Sequence, residues 1–251
     1  VFAHHPSITA MPAPDDIVWR YMDVSRFLSL LEDEALAFAA AAEMSDRWEG
    51  VPTRVHPTFD DPTTNVRVTP KMTRNLMQAT TFLNCWHVSN VESAAMWDIY
   101  QREGRGVAIK TTWARLTSAL TTSQEIYGGL ITYLDYATEE VPADNWIPAY
   151  MHKRRSFQHE REARLVIIDP HGFDAVSYDA GKHMGFGKFD DGEPPTVLAI
   201  PVNLRKLIDS VYVAPATPKW HADLVTKLVA RYGHTFNVVR SDLDRAPEIG
   251  L

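Results

Sequence analysis

The stretch Lys153-Arg154-Arg155-Ser156-Phe157-Gln158-His159-Glu160-Arg161-Glu162-Ala163-Arg164-Leu165-Val166 decides how the rest of the chain is read. A strand starting near Glu160 and running over 161–168 puts alternate side chains on opposite faces. Glu160, Glu162 and Arg164 then line one face at steps of roughly 7 Å, while Ala163, Leu165 and Ile167 pack on the other. A stripe of two carboxylates and a guanidinium reads in one of two ways. It is a catalytic carboxylate tuned by charged neighbours, or a structural Arg–Glu pair at a sheet rim.

Working outward, 17–22 reads as a first strand, with Asp23 or Ser25 capping a helix to about residue 33 that buries Phe27, Leu28, Leu30 and Leu31. Leu36 and Phe38 alternate over 35–40, and 45–50 is a polar turn. Four prolines and the acidic pair Asp60-Asp61 make 52–70 an irregular excursion. A helix over 71–78 leads to a buried strand over 80–87, and Ser93 opens a helix carrying Met96, Trp97 and Tyr100, with Gly104 as its stop. Further strands fall over 106–110, 129–136, 197–201, 208–213 and 236–239. Helices fall over 113–120, 145–157 and 218–232, and 179–195 is a loop. Residues 1–15 are expected to lie loosely, leaving 16–251 as one domain. Strands and helices do not alternate regularly, so the expected fold is α+β, a mixed or antiparallel central sheet flanked by helices.

Composition narrows the function classes. With 45% hydrophobic and 23% charged residues, the 251-residue chain can bury a core. A formal charge of −7 and no run of five basic residues argue against a protein whose main work is gripping a phosphate backbone. One cysteine, Cys85, excludes an intrachain disulfide and a cysteine-built zinc site. No apolar run approaches the roughly 20 residues that span a bilayer, and the start has no secretory pattern. A cytoplasmic protein without membrane contact is expected.

Several motifs carry chemistry. Trp19-Arg20-Tyr21 sets a cation inside an apolar strand, and a buried Arg needs an anion. Its partner is an internal carboxylate such as Glu49 or Glu162, or a ligand phosphate gripped by the guanidinium fork. His159-Glu160 lacks the second histidine of a zinc-protease helix, because position 163 is Ala163, so no metal site is expected there. Asp46-Arg47-Trp48-Glu49-Gly50 reads as a capped turn, Trp97 and Tyr100 as core aromatics, and Cys85 as a small buried hydrophobe. Gly185-Phe186-Gly187 lacks the strand–loop–helix setting of a dinucleotide fingerprint.

Taken in order, Trp19-Arg20-Tyr21, Asp46, Glu49-Gly50, Cys85-Trp86, Met96-Trp97 with Tyr100, Gly106-Val107-Ala108-Ile109, Lys153, Glu160-x-Glu162-x-Arg164, Leu207-Ile208 and Val213-Ala214-Pro215 resemble one bacterial family. It is the domain-of-unknown-function family twenty-nine seventy-one, and the match spans residues 17–243. Its members are similar to proteins found among defence and mobile-element genes. A second similarity is to ADP-ribosyltransferases, in the order of Arg20 and Glu160-x-Glu162. That resemblance implies NAD as substrate, with Arg20 on its pyrophosphate and Glu162 steadying an oxocarbenium-like transition state. Glu160 would orient or deprotonate a nucleic-acid or protein acceptor. Tyr21, Trp97 or Tyr100 would stack on nicotinamide, with Arg164 also in the NAD site. A toxin or phage-defence role, with room for an antitoxin partner, follows from the same resemblance. The sequence departs from those enzymes where Asn84-Cys85-Trp86-His87 stands in place of a Ser-Thr-Ser strand.

Two other classes stay open at this level. One is a nuclease-like toxin holding magnesium through Asp46, Glu49, Glu160 and Glu162. The other is a non-catalytic binding module whose charged stripe is structural.

Overall fold

A computed structural model of the chain describes residues 1–53, 59–60, 67–100, 105–143, 145–169 and 195–245. The elements run β1 (Phe2–Ala3), β2 (Ile17–Asp23), α1 (Val24–Asp33), β3 (Ala35–Ala40), β4 (Phe59–Asp60), β5 (Arg67–Val68), α2 (Pro70–Thr80), β6 (Thr81–Val88), α3 (Ala94–Tyr100), β7 (Gly106–Thr112) and α4 (Trp113–Ser118). They continue with β8 (Ile126–Leu130), β9 (Thr132–Leu134), α5 (Ile147–Met151), β10 (His152–Arg154), β11 (Glu162–Ile168), β12 (Val197–Pro201), α6 (Leu204–Leu207), β13 (Ser210–Val213), α7 (Lys219–Arg231) and β14 (Asn237–Arg240). The acidic turn at Asp61, Gly104, most of the 179–195 loop and Gly185–Gly187 lie outside the described residues.

Among the described residues, ten strands form one mixed sheet, in the order β1-β8-β11-β6-β2-β7-β13-β14, with β3 joining β6 and β12 joining β3. The pairings are antiparallel except β1–β8 and β13–β14. This is the expected mixed sheet flanked by helices. Its two central strands have the sequences such a position demands. Thr81–Val88 and Glu162–Ile168 are buried over almost their whole length, as strands covered on both faces must be. The largest core cluster runs through Phe82, Trp86, Leu165 and Ile167 of the sheet, Phe27, Leu30 and Leu31 of α1, and Val225 and Val229 of α7.

One departure from regular pairing positions the site. Strand β6 uses one edge for β11, and its other edge is shared. Val88 and His87 pair with Val18 and Trp19 of β2, whereas Leu83 and Phe82 pair with Ala39 and Ala40 of β3. Between them, Asn84, Cys85 and Trp86 face a fork in the sheet. Helix α1 joins the two prongs. Asp23 caps it by accepting from the Arg26 N–H, and it ends at Glu34 in the left-handed region (φ 45°). Side chains rather than a ladder bridge the fork: Asn84 Nδ2 donates to the Ala37 carbonyl at 2.9 Å, and Arg20 Nη2 donates to the same oxygen at 3.1 Å.

Three expectations are corrected. Residues 1–15 are not loose. Phe2–Ala3 pairs with Ile126–Tyr127, Ile8 is buried, and the Leu130 N–H donates to the Ala10 carbonyl. The approach depends on Gly129, where a Cβ would lie 2.4 Å from Ile8 and 2.6 Å from the Ala10 oxygen. The single strand over 129–136 is two, because the chain turns at buried Ile131 and β9 leaves the main sheet to pair with β10. The helix over 145–157 is only Ile147–Met151, followed by β10 and a 3-10 turn over Arg155–Glu160. Burial of all five residues of α5, and the pull of β9 on His152–Arg154, outweigh the local helical pattern.

Candidate functional site: a carboxylate pair and a bare guanidinium around one cavity

Strand alternation does put Glu162 and Arg164 on one face, with Ala163, Leu165 and Ile167 in the opposite core. Arg164 is fully buried. Its Nε donates to Glu162 Oε1 at 2.6 Å, its Nη1 to Glu49 Oε1 and to the Tyr150 carbonyl, and its Nη2 to Glu49 Oε2 at 3.3 Å. Glu49 is held for this by Gly50, whose φ of 68° is the glycine region and whose missing Cβ leaves room for the Tyr150 ring. Every guanidinium nitrogen is thus occupied. Arg164 was expected in the NAD site. It is instead an anchor closed inside the protein and is absent from the cavity wall.

Glu160 does not continue the strand, contrary to the stripe expected from alternation. It ends the 3-10 turn, and Arg161, at φ 41°, swings the chain into β11. The two carboxylates converge all the same, because Lys153 of β10 reaches both. Its Nζ lies 2.6 Å from Glu160 Oε2 and 2.9 Å from Glu162 Oε2. Their environments push them apart. Burial works to raise the Glu162 carboxyl, but Arg164 and Lys153 together outweigh it and hold the group down at about 2. Burial also raises Glu160, Lys153 alone opposes it, and the neighbouring Glu162 adds to the rise, so its net movement is upward. One carboxylate is locked in its charged form and the other is poised to take a proton, the division of labour that acid–base sites require.

Both carboxylates face a cavity of about 680 Å³ at the sheet fork, whose wall also includes Arg20, Tyr21, Trp86 and Tyr100. That volume falls within the roughly 300–1,000 Å³ of small-molecule sites. Arg20 stands opposite in character to Arg164. Neither Glu49 nor Glu162 is its partner. It makes the one bond to the Ala37 carbonyl, lies over the Trp86 ring at 5.8 Å, and its buried Nη1 has no hydrogen-bond partner among the described residues. Burial lowers its pKa to about 10, so it remains charged at neutral pH.

The aromatic candidates divide. Tyr21 lines the cavity, accepts from the Ser93 N–H at 2.8 Å and meets the Trp97 ring edge-on at 4.9 Å. Tyr100 is 37% exposed at the cavity wall, its phenol pushed up to about 12 by burial and by the nearby Cys85 and Glu160. Trp97 is core: 1% exposed, its indole N–H on Glu92, and absent from the wall.

Sequence reasoning left three groups in or beside the wall out of the candidate site. Lys153 fell inside an expected helix. Cys85 lines the cavity, as does His87, whose Nδ1 lies 2.6 Å from the Glu160 carbonyl. A carbonyl only accepts, so Nδ1 carries the proton and Nε2 is the lone-pair nitrogen. Burial lowers the His87 pKa and keeps the ring neutral. Burial and Glu162 push the Cys85 thiol up to about 12, which removes it as a nucleophile. The pairing of β6 with β11, Glu162 opposite His87 and Arg164 opposite Cys85, is what assembles the group, and no local sequence signal encodes that register.

The magnesium reading loses its ligands. Asp46 is taken by Arg154 at 2.7 Å, Glu49 by Arg164, and Glu160 and Glu162 by Lys153. Among the described residues no group of three or more His, Cys, Asp or Glu side chains could hold a metal ion. Nor is any helix among them long and apolar enough to cross a membrane.

No protein-family model matches the chain, so the resemblance to family twenty-nine seventy-one finds no support there, and no curated protein matches it. Among solved structures the chain is similar to DarT of Thermus sp. 2.9. The complex with ADP-ribosylated ssDNA matches at 9% identity over 93% of this chain and 97% of that one, with a TM-score of 0.41. The complex with NAD+ matches at 8% identity over 92% and 98%, again at 0.41. The complex with carba-NAD+ gives 9% identity, 93% and 98%, and the same score.

Proposed function

We propose that the chain is an ADP-ribosyltransferase that uses NAD and transfers ADP-ribose to a nucleic-acid or protein acceptor. One observation carries the proposal: a guanidinium with a bare buried donor, Arg20, shares a cavity with two carboxylates of divided ionisation, Glu160 and Glu162. An unpaired buried cation is costly unless an anion completes it, and a pyrophosphate oxygen suits the free Nη1. With the pyrophosphate there, the nicotinamide ribose would occupy the same cavity as the carboxylates. The C–N bond breaks and nicotinamide leaves neutral with the bonding pair. The ionised Glu162 steadies the positive ribose. The acceptor's lone pair then bonds to the anomeric carbon, and its proton passes to Glu160. Tyr21 and Tyr100 offer the aromatic faces for nicotinamide. A bacterial cytoplasmic toxin or phage-defence role, restrained by an antitoxin partner, follows from the family resemblance and depends on this NAD chemistry.

The test is nicotinamide release from NAD by pure protein, with single-stranded DNA, RNA and a protein mixture as acceptors. Expected are release by the native protein, a loss of at least about 100-fold in Glu160→Gln, and an upward melting shift with NAD. Native protein that neither releases nicotinamide nor shifts with NAD ends the proposal. Divalent-dependent cleavage of the nucleic acid instead would favour the nuclease class.

A further inference from the structure

Two carboxyls that touch the same cavity wall should not both stay charged. Glu160 and Glu162 converge on one lysine nitrogen, at 2.6 and 2.9 Å, and like charges so close drive one of the pair to hold its proton. The group that relieves them is Lys153. It comes from β10, held in place by parallel pairing with β9, where Lys153 stands opposite Tyr133. Tyr133 in turn accepts the Glu162 N–H at 2.8 Å, so the strand that carries the lysine and the strand that carries the acid are tied at this level. Nζ bridges the two acids at 2.6 and 2.9 Å and packs over the Phe157 ring at 5.3 Å. Its side chain is 11% exposed, so water screens it little. Glu162 leans on the lysine less than Glu160 does, since Arg164 occupies its other oxygen. For Glu160, Lys153 is the one cation with an ion pair among the described residues.

We infer that Lys153 is the positioning residue of this site, holding Glu160 against Glu162 in the charged form from which it can accept a proton. Lys153 touches no reacting atom and acts through Glu160. The other groups facing the pair are Cys85 from β6, Tyr100 from α3 and Tyr133 from β9, with Arg164 and Glu49 behind. None of these can replace it. The first three are neutral near pH 7, and the Arg164 charge is already shared between Glu49 and Glu162. The kinetic consequence rests on the proposed transfer reaction, whereas the ionisation itself does not.

The experiment follows the Glu160 side-chain carboxyl by carbon NMR titration in the native protein, Lys153→Met and Lys153→Arg. The Met variant keeps the length of the stem without the charge. Its Glu160 midpoint should rise by at least about one pH unit, while the Arg variant stays near native. If the Met variant does not fold, the ammonium resonance of Lys153 in the native protein gives the same answer, because it must titrate with the Glu160 midpoint. An unmoved or lowered Glu160 midpoint in the Met variant, or an ammonium signal indifferent to it, overturns the inference. With NAD, the acid limb of the kcat profile should move up with the carboxyl while KM changes less than about threefold. A native protein that leaves NAD intact would sink the transfer reaction yet leave the carboxyl readout standing, so the two failures are distinguishable.

Discussion

Arg164 and Arg20 are the same side chain in a fully buried and a half-buried setting, and they differ in what completes them. Arg164 spends its donors on Glu49, Glu162 and the Tyr150 carbonyl, with no surface left to a ligand. Among the described residues, Arg20 makes one bond to a backbone oxygen and leaves Nη1 unmatched at a cavity. The first arrangement is a closed ionic knot between β11, the Glu49 turn and α5. The second is half of an interaction. The count of satisfied donors is what separates the structural cation from the binding one.

The most damaging way to break this contrast is Arg164→Met. It strands Glu49 and Glu162 in the interior, and removing one partner of a buried pair costs about 3–5 kcal/mol. In a domain of this size that is a fall in melting temperature of roughly 6–20 °C, read by calorimetry. A fall within 2 °C would show the knot to be dispensable.

Acid attacks the same knot with a somewhat smaller effect. The folded Glu162 carboxyl sits at about 2 against an ordinary 4.5. A depressed carboxyl stabilises the fold fully above 4.5 and loses that contribution as pH falls toward 2, on the order of 3 kcal/mol in all. Glu160 moves the opposite way: its carboxyl is raised, so its gain on protonation falls mainly above the ordinary 4.5 and leaves the Glu162 loss below it largely untouched. Urea unfolding between pH 4.5 and 2.5 should show stability falling. A flat profile would mean Glu162 is not held down. Smaller again is Gly50→Ala, at about 1–3 kcal/mol, because the new Cβ would lie 2.4 Å from Tyr150 at a φ of 68°. Urea denaturation of that variant is the check, and native stability would show that Tyr150 yields freely.

These contrasts show where sequence reading succeeds. Alternation in Glu162–Ile168 and the helical spacing of Phe27, Leu30 and Leu31 reveal β11 and α1 because each is decided by its own apolar face. The type of the charged residues was legible as well. Their partners were not: Glu49 and Arg164 lie 115 residues apart, and the register that joins them belongs to the whole sheet. Glu160 was misplaced by a single residue's backbone, Arg161 in the left-handed region, which neither its own propensity nor its neighbours announce. Lys153 was hidden for a related reason, since its strand exists only through pairing with β9.

The sharpest use of the contrast is the variant expected to change the fold least. Arg20→Leu removes the bond to the Ala37 carbonyl, but Asn84 Nδ2 still donates to that oxygen, so no buried acceptor is orphaned. The lost bond and the lost contact with Trp86 cost about 1–2 kcal/mol, and relief from burying a half-satisfied cation returns much of it. The net change should fall within about 1 kcal/mol. Binding should respond far more strongly, because a charge-assisted bond to phosphate is lost. Titration calorimetry with NAD and with ADP-ribose should show affinity weakened by at least about tenfold, a loss of roughly 1.4 kcal/mol. A melting loss as large as that of Arg164→Met, with ligand affinity untouched, would make Arg20 a second structural arginine and dissolve the distinction between the two.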